Sequence, residues 1–233
     1  MTALGAACLA GMVAPSAADA ATPATAPTDS LAWAGRVIAP IDARTAPDPG
    51  AKKITRVSPT APLAGGEAVL SITRSTVGKD GRDWVEVLLP IRPSGRRGWV
   101  PADVLSLRKV TTRIEISTGS RTLTLFRSGR RVLTTKVAVG KAGTPTPLGR
   151  FAIAELIRLR TPDGALGPVV LPLTAYSPTL NEFAGGDGRV AVHGTSSPGL
   201  LGTRASNGCI RVHNNEVLKL ARLARPGTPV RIR

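Results

Sequence analysis

AVHGTSSPGLLGTRASNGCIRVH, residues 191–213, decides how the rest of the chain is read. It contains both histidines, His193 and His213, and Cys209, the only cysteine besides Cys8. Arg189-Val190-Ala191-Val192 reads as a strand that delivers His193 to its end, beside Gly194, and Cys209 follows sixteen residues after His193. A thiol becomes a useful nucleophile when an imidazole or a field of backbone N–H groups lowers its pKa from about 8.5. Gly208 lets the main chain approach a substrate and aim its amides at a developing oxyanion. Arg211 shares the side of Cys209 if the segment is extended, placing positive charge near the sulfur. Spacing alone leaves a second reading open, a buried thiol and imidazole that are only core residues. A zinc site is disfavoured, because one Cys and two His lack a fourth ligand at the usual spacing.

Outward from this stretch the chain is rich in strands. Ile114 and Ile116 alternate with charged neighbours, as do Leu123 and Leu125 with polar ones. Arg127-Ser128-Gly129-Arg130 supplies a hairpin turn, and Val132 to Val139 returns. Further strands are expected at Phe151 to Ala154, Val169 to Tyr176 and Arg189 to His193. One helix is expected, capped by Asn214 or Asn215, with Val217, Leu218, Leu220 and Leu223 as its apolar face and Pro226-Gly227 as its stop. A last strand runs from Pro229 to Arg233. The fold class is therefore mainly β with at least one helix.

Toward the N-terminus, residues 36–108 hold short strands at Arg36 to Ala39, Glu67 to Ile72 and Trp84 to Leu89, separated by Gly- and Pro-rich turns. The order is a strand, an ARTAPDPGA turn (43–51), a DGRDWVEV hairpin (80–87) and GWVPADVL (98–105). It resembles bacterial SH3-like domains, which implies a small β-barrel of the kind attached to cell-wall enzymes. Trp84 and Trp99 are expected to fill its core rather than to bind peptide. Residues 21–35, rich in Ala, Thr and Pro, suit an extended linker. Residues 1–20 read as a signal peptide: residues 3–18 are small and apolar, and Ala18-Asp19-Ala20 fits a cleavage site, although a positively charged leading segment is missing. Cys8 lies within that stretch, and GAAC lacks the leucine expected before a lipidated cysteine. Removal of Cys8 would leave Cys209 as a single thiol with no intramolecular disulfide.

The chain has 233 residues, of which 31 are Lys or Arg and 15 Asp or Glu, for a net charge of +16. Such a charge favours encounter with polyanions, including anionic wall polymers. No recognition motif accompanies it, so specific nucleic-acid binding is not expected. No apolar run reaches the ~18 residues of a membrane span.

The residues carry a more specific likeness. AVHGT (191–195) and SNGCIRV (206–212), with GTPTPLGRF (143–151) upstream, resemble the catalytic domain of the L,D-transpeptidases over roughly 111–233. The resemblance implies a β-rich cysteine enzyme that crosslinks peptidoglycan. It implies Cys209 as nucleophile, His193 as its base and the Gly194 carbonyl as orienter of the imidazole. Gly208 and Cys209 would supply oxyanion amides, and Ser206, Asn207 and Arg211 would position the site or substrate. Position 207 is commonly His in that family; Asn207 cannot titrate near neutral pH, so a site-shaping role is expected of it. Tyr176 and Phe183 could wall the donor pocket or pack in the core, and His213 reads as an exposed polar residue before the helix.

The expected reaction is transfer of an acyl group from a stem tetrapeptide to an acceptor amine, with release of D-alanine, by an exported, extracytoplasmic enzyme acting on peptidoglycan stem peptides without metal or cofactor. An L,D-carboxypeptidase, a non-catalytic wall-binding protein and a polyanion-binding module are the alternatives. A papain-like endopeptidase is disfavoured, since its cysteine precedes its histidine in the chain.

Overall fold

The computed structural model describes residues 26–182 and 185–233. The signal-peptide reading of 1–20, Cys8, the first part of the linker and Phe183 therefore lie outside the described residues.

The N-terminal half forms one sheet of seven strands: β1 (Ala32–Val37), β2 (Ile41–Arg44), β3 (Lys53–Val57), β4 (Val69–Val77), β5 (Asp83–Leu88), β6 (Arg97–Pro101) and β7 (Leu105–Val110). They lie in the order β3-β2-β6-β5-β4-β1-β7. The first strand starts at Ala32, inside the segment expected to be linker, because Ala32, Ala34 and Val37 are apolar enough to be buried against β4 and β7. Pairing ends at β3 and β7, which do not pair with each other, and β2 meets β6 at a single ladder position, Arg44 with Trp99. The closed form of the expected SH3-like barrel is thus not found among the described residues. Both tryptophans are buried, and the Trp84 indole N–H donates to Asp80 Oδ1 at 2.9 Å.

The C-terminal half has two main sheets. One joins β8 (Thr112–Ser117), β9 (Thr122–Arg127), β10 (Arg130–Lys136), β12 (Gly149–Ala152) and β18 (Pro229–Ile232) in the order β10-β9-β8-β18-β12. The β9–β10 connection is the expected one: Ser128 and Gly129 both have positive φ, 48° and 78°, as a two-residue hairpin turn matched to strand twist requires. The other sheet joins β13 (Ile157–Arg158), β14 (Val169–Tyr176), β15 (Arg189–His193) and β17 (Ile210–Arg211). Short strands β11 (Val139–Gly140) and β16 (Arg204–Ser206) pair in parallel.

One core holds these elements together. Ile114, Ile116, Leu123 and Leu125 from the first sheet meet Leu171, Leu173, Val192 and Ile210 from the second. The one α-helix among the described residues, α1 (Asn214–Leu223), adds Val217, Leu220 and Ala221. Each such large side chain gains about 1.5–3 kcal/mol on burial. The helix cap differs from expectation: His213, not either asparagine, precedes the first turn, and its Nδ1 accepts the N–H of Asn215 at 3.3 Å. Asn214 is drawn elsewhere, since its Oδ1 accepts the N–H of Thr195 at 2.8 Å.

The two halves are joined by polar contacts. The Tyr176 hydroxyl donates to the Pro90 carbonyl, Arg108 donates to the Pro226 carbonyl, and Glu155 accepts from the Leu63 and Ala64 amides. No helix among the described residues is long and apolar enough to cross a membrane.

Candidate active site

Strand β15 is buried and alternates, so Arg189, Ala191 and His193 share one face while Val190 and Val192 share the other, Val192 packing in the core. Strand β17 runs parallel to it, with Val192 opposite Ile210 and His193 opposite Arg211. Extending that register by one residue sets Cys209 beside Ala191. Partners in a parallel ladder point the same way, so Cys209, Ala191, His193 and Arg211 lie on a common face. The sulfur is within hydrogen-bonding influence of the Ala191 main chain. The register thus puts the thiol and the imidazole on the same face, two residues apart along the ladder.

His193 is almost fully buried, and its Nδ1 lies 2.6 Å from the Gly194 carbonyl oxygen. A carbonyl only accepts, so Nδ1 carries the proton and Nε2 keeps the lone pair. Burial lowers the His193 pKa from 6.5 to about 4; the Gly194 and Leu166 carbonyls oppose this and the Arg211 charge reinforces it. Cys209 is partly exposed at a cleft, yet burial pushes its thiol pKa up, against smaller lowering effects from the Ala191 main chain and Arg211. Both groups rest neutral at pH 7.

The turn before Cys209 is tightly bonded. Gly208 has a φ of +115°, a conformation that strains any residue with a side chain. Its N–H donates to Ser206 Oγ at 3.1 Å, and Ser206 Oγ donates to the Cys209 carbonyl. The Gly208 amide is thus already engaged and is not the free oxyanion donor expected of it, whereas no hydrogen bond occupies the Cys209 N–H among the described residues. Asn207 lines the cleft beside Cys209. Arg211 is held by its main chain, which exchanges hydrogen bonds of 2.9 Å with Ala138 in both directions.

The upstream Thr-Pro-x-Gly-x-Phe segment also arrives here. Thr146 is buried, and its hydroxyl donates to the Gly208 carbonyl at 2.9 Å. The motif was visible in the sequence, but this bond was not.

The cleft has a volume of about 370 Å³. Its lining includes Cys209, Asn207, Ala191, Leu166 and Ile157. Tyr176, for which a pocket wall and core packing were both open, is not part of that lining. Strand β14 shifts register between Pro172 and Tyr176, and such a bulge re-aims the side chains beyond it. Tyr176 turns instead to the N-terminal half, 4% exposed, its ring 4.9 Å from the Arg92 guanidinium and 5.1 Å from that of Arg189. His213 caps the helix at the surface, away from the cleft lining. Leu63, which sequence reasoning did not single out, lines the cleft from the other half of the chain. No group of three or more His, Cys, Asp or Glu side chains among the described residues could hold a metal ion.

Comparison with known proteins gives matches over the same region. The YkuD family model, described as an L,D-transpeptidase catalytic domain, matches residues 111–232. The YkuD protein of Bacillus licheniformis is 34% identical over 167 residues, covering 69% of this chain and 93% of the relative. That of Bacillus subtilis is 32% identical over 166 residues, with the same coverage of 69% and 93%. Among solved structures, an L,D-transpeptidase from Mycobacterium tuberculosis H37Rv is similar at a TM-score of 0.47 and 14% identity, over 71% of this chain and 90% of that one.

Proposed function

The chain belongs to the YkuD family of L,D-transpeptidase catalytic domains, and from that premise we propose that it is a peptidoglycan L,D-transpeptidase in which Cys209 carries the acyl group. The observation that carries this reading is the parallel pairing of β15 with β17: extended by one residue, its register puts Cys209 beside Ala191, two residues from His193 on the same face, and the His193 Nδ1 lies against the Gly194 carbonyl.

The chemistry follows from the tautomer. Nε2 of His193 takes the thiol proton as the sulfur adds to the amide carbonyl that links the third stem residue to terminal D-alanine. The oxygen becomes an oxyanion, stabilised by the Cys209 N–H and by the Asn207 side-chain amide. The imidazolium then gives its proton to the departing amine, D-alanine leaves, and a thioester remains. With a pKa near 4, that imidazolium is a strong proton donor. An acceptor amine attacks the thioester, His193 takes the amine proton and returns it to the sulfur, and an amide crosslink results. Water as acceptor would make the same site an L,D-carboxypeptidase.

The seven-stranded N-terminal sheet is read as an SH3-like wall-associated domain, and the chain as an exported protein whose net charge of +16 favours contact with anionic wall polymers. The test is incubation of the purified chain with a disaccharide-tetrapeptide, followed by mass spectrometry. Loss of D-alanine with dimer formation supports transfer, loss alone indicates hydrolysis, and product profiles that are the same for wild type and Cys209→Ala overturn the reading.

A further inference from the structure

We propose that the N-terminal domain supplies one wall of the catalytic cleft, with Leu63 touching an aliphatic part of the bound peptide donor; the donor's identity rests on the acyl-transfer reading above.

Leu63 and Cys209 line the same cavity although they belong to different halves of the chain. The loop that carries Leu63 is a tight structure of its own. Thr60 and Glu67 bridge its base, the Ala61 N–H donates to the Gly66 carbonyl at 2.7 Å, and Gly65 turns it with a φ of +69°. Its tip is fastened to the catalytic domain by Glu155. That carboxylate is only 4% exposed, and its two oxygens accept the N–H groups of Leu63 at 3.1 Å and Ala64 at 2.8 Å. A buried carboxylate is stable only when its oxygens are satisfied, so Glu155 holds this loop tip in place.

The side chain of Leu63 gains little from that arrangement unless something covers it, since the residue is 50% exposed. Leu166, another large apolar residue left exposed, lines the same cleft, and Ile157 and Leu159 join it there. Together they make an aliphatic wall, while Asp187, Arg189 and Asn207 supply polar groups. Continuity with the space over Cys209 identifies the occupant as the peptide whose carbonyl reaches the sulfur. The same domain also braces the cleft elsewhere: Arg92 donates to the carbonyls of Ser177 at 3.1 Å, Leu180 at 2.7 Å and Asp187 at 2.9 Å, three residues of the lining.

The experiment uses the full chain and two readouts. In tetrapeptide turnover, Leu63→Ala is expected to raise the donor KM about three- to tenfold, with kcat moving less, and Leu63→Met to restore it. Glu155→Ala, which frees the loop tip, should reproduce the KM effect. In thiol labelling mapped to Cys209 by mass spectrometry, Leu63→Trp should slow a bulky N-aryl maleimide relative to iodoacetamide by at least about threefold, because the wall then narrows the entrance. A donor KM within twofold of wild type for Leu63→Ala, or an unchanged labelling ratio for Leu63→Trp, overturns the proposal. If wild type releases no D-alanine, the acyl-transfer reading falls, and the labelling ratio alone decides whether Leu63 walls the cleft.

Discussion

The hydroxyl of Thr146 donates to the carbonyl oxygen of Gly208 at 2.9 Å, across a separation of 62 residues. The Thr146 hydroxyl oxygen in turn accepts the N–H of Gly140 at 2.9 Å. One side chain therefore satisfies two buried main-chain groups and fastens the upstream loop to the turn before Cys209. Thr146→Val keeps the shape and removes both bonds, which should cost about 1–3 kcal/mol in denaturant unfolding and lower D-alanine release. Thr146→Ser should keep most of both. A valine variant as stable and active as wild type would mean the turn is held by something else.

Cys209 and His193 are assigned different roles, so their variants should fail differently. Cys209→Ala should abolish acyl transfer and leave no thioester adduct by mass spectrometry. His193→Gln should slow transfer by about 10²–10⁴-fold, the usual contribution of a general base. Equal residual rates for wild type and His193→Gln would remove the imidazole from the mechanism.

The pH dependence carries a distinct signature. In the proposed mechanism neutral His193 is the base, and burial lowers its pKa to about 4. The acid limb of kcat/KM should therefore fall near pH 4 and be flat near 6.5. Stability should follow the same group. Its folded-state pKa lies below the unfolded value, so the unfolded chain binds the proton first as pH drops. The conformation is fully favoured above about 6.5 and loses up to about 3 kcal/mol between 6.5 and 4. His193→Gln should remove that part of the pH dependence of unfolding, and an unaltered profile would contradict it.

Gly194 should resist a side chain more than most glycines. A Cβ there would lie 2.9 Å from the Gly167 Cα and 3.0 Å from the Pro168 Cδ, and would press on Asn214 Oδ1. Main chain cannot yield as a flexible side chain does, so Gly194→Ala should displace the carbonyl that orients His193. We expect lower thermal stability together with a kcat loss larger than any rise in KM. Full activity in the alanine variant would show that the imidazole is held without that carbonyl.

Short-range signals carried much of the fold. The alternation of Ile114 and Ile116, the Ser128-Gly129 turn, the strands at Val169 to Tyr176 and Arg189 to His193, and the stop of α1 before Pro226-Gly227 could all be read from neighbouring residues. The candidate pair for chemistry could be picked out in the same way, because the residues around His193 and Cys209 are distinctive. Where signals competed locally, the reading slipped: His213 took the cap that Asn214 or Asn215 was expected to fill, since Asn214 bonds to Thr195 instead. The bulge in β14 turned Tyr176 away from the cleft.

The sequence by itself singled out which atoms are offered for chemistry: the Cys209 thiol and the His193 imidazole, each set among small residues that let main chain come close. The tertiary structure alone decided that Cys209 lies beside Ala191, that the Gly208 N–H is spent on Ser206, and that Leu63 of the N-terminal half lines the same cleft. The reason is physical. Alternation and turn preferences act over a few residues, whereas a parallel ladder and an interdomain contact are chosen by the packing of the whole core, whose free energy belongs to no single segment.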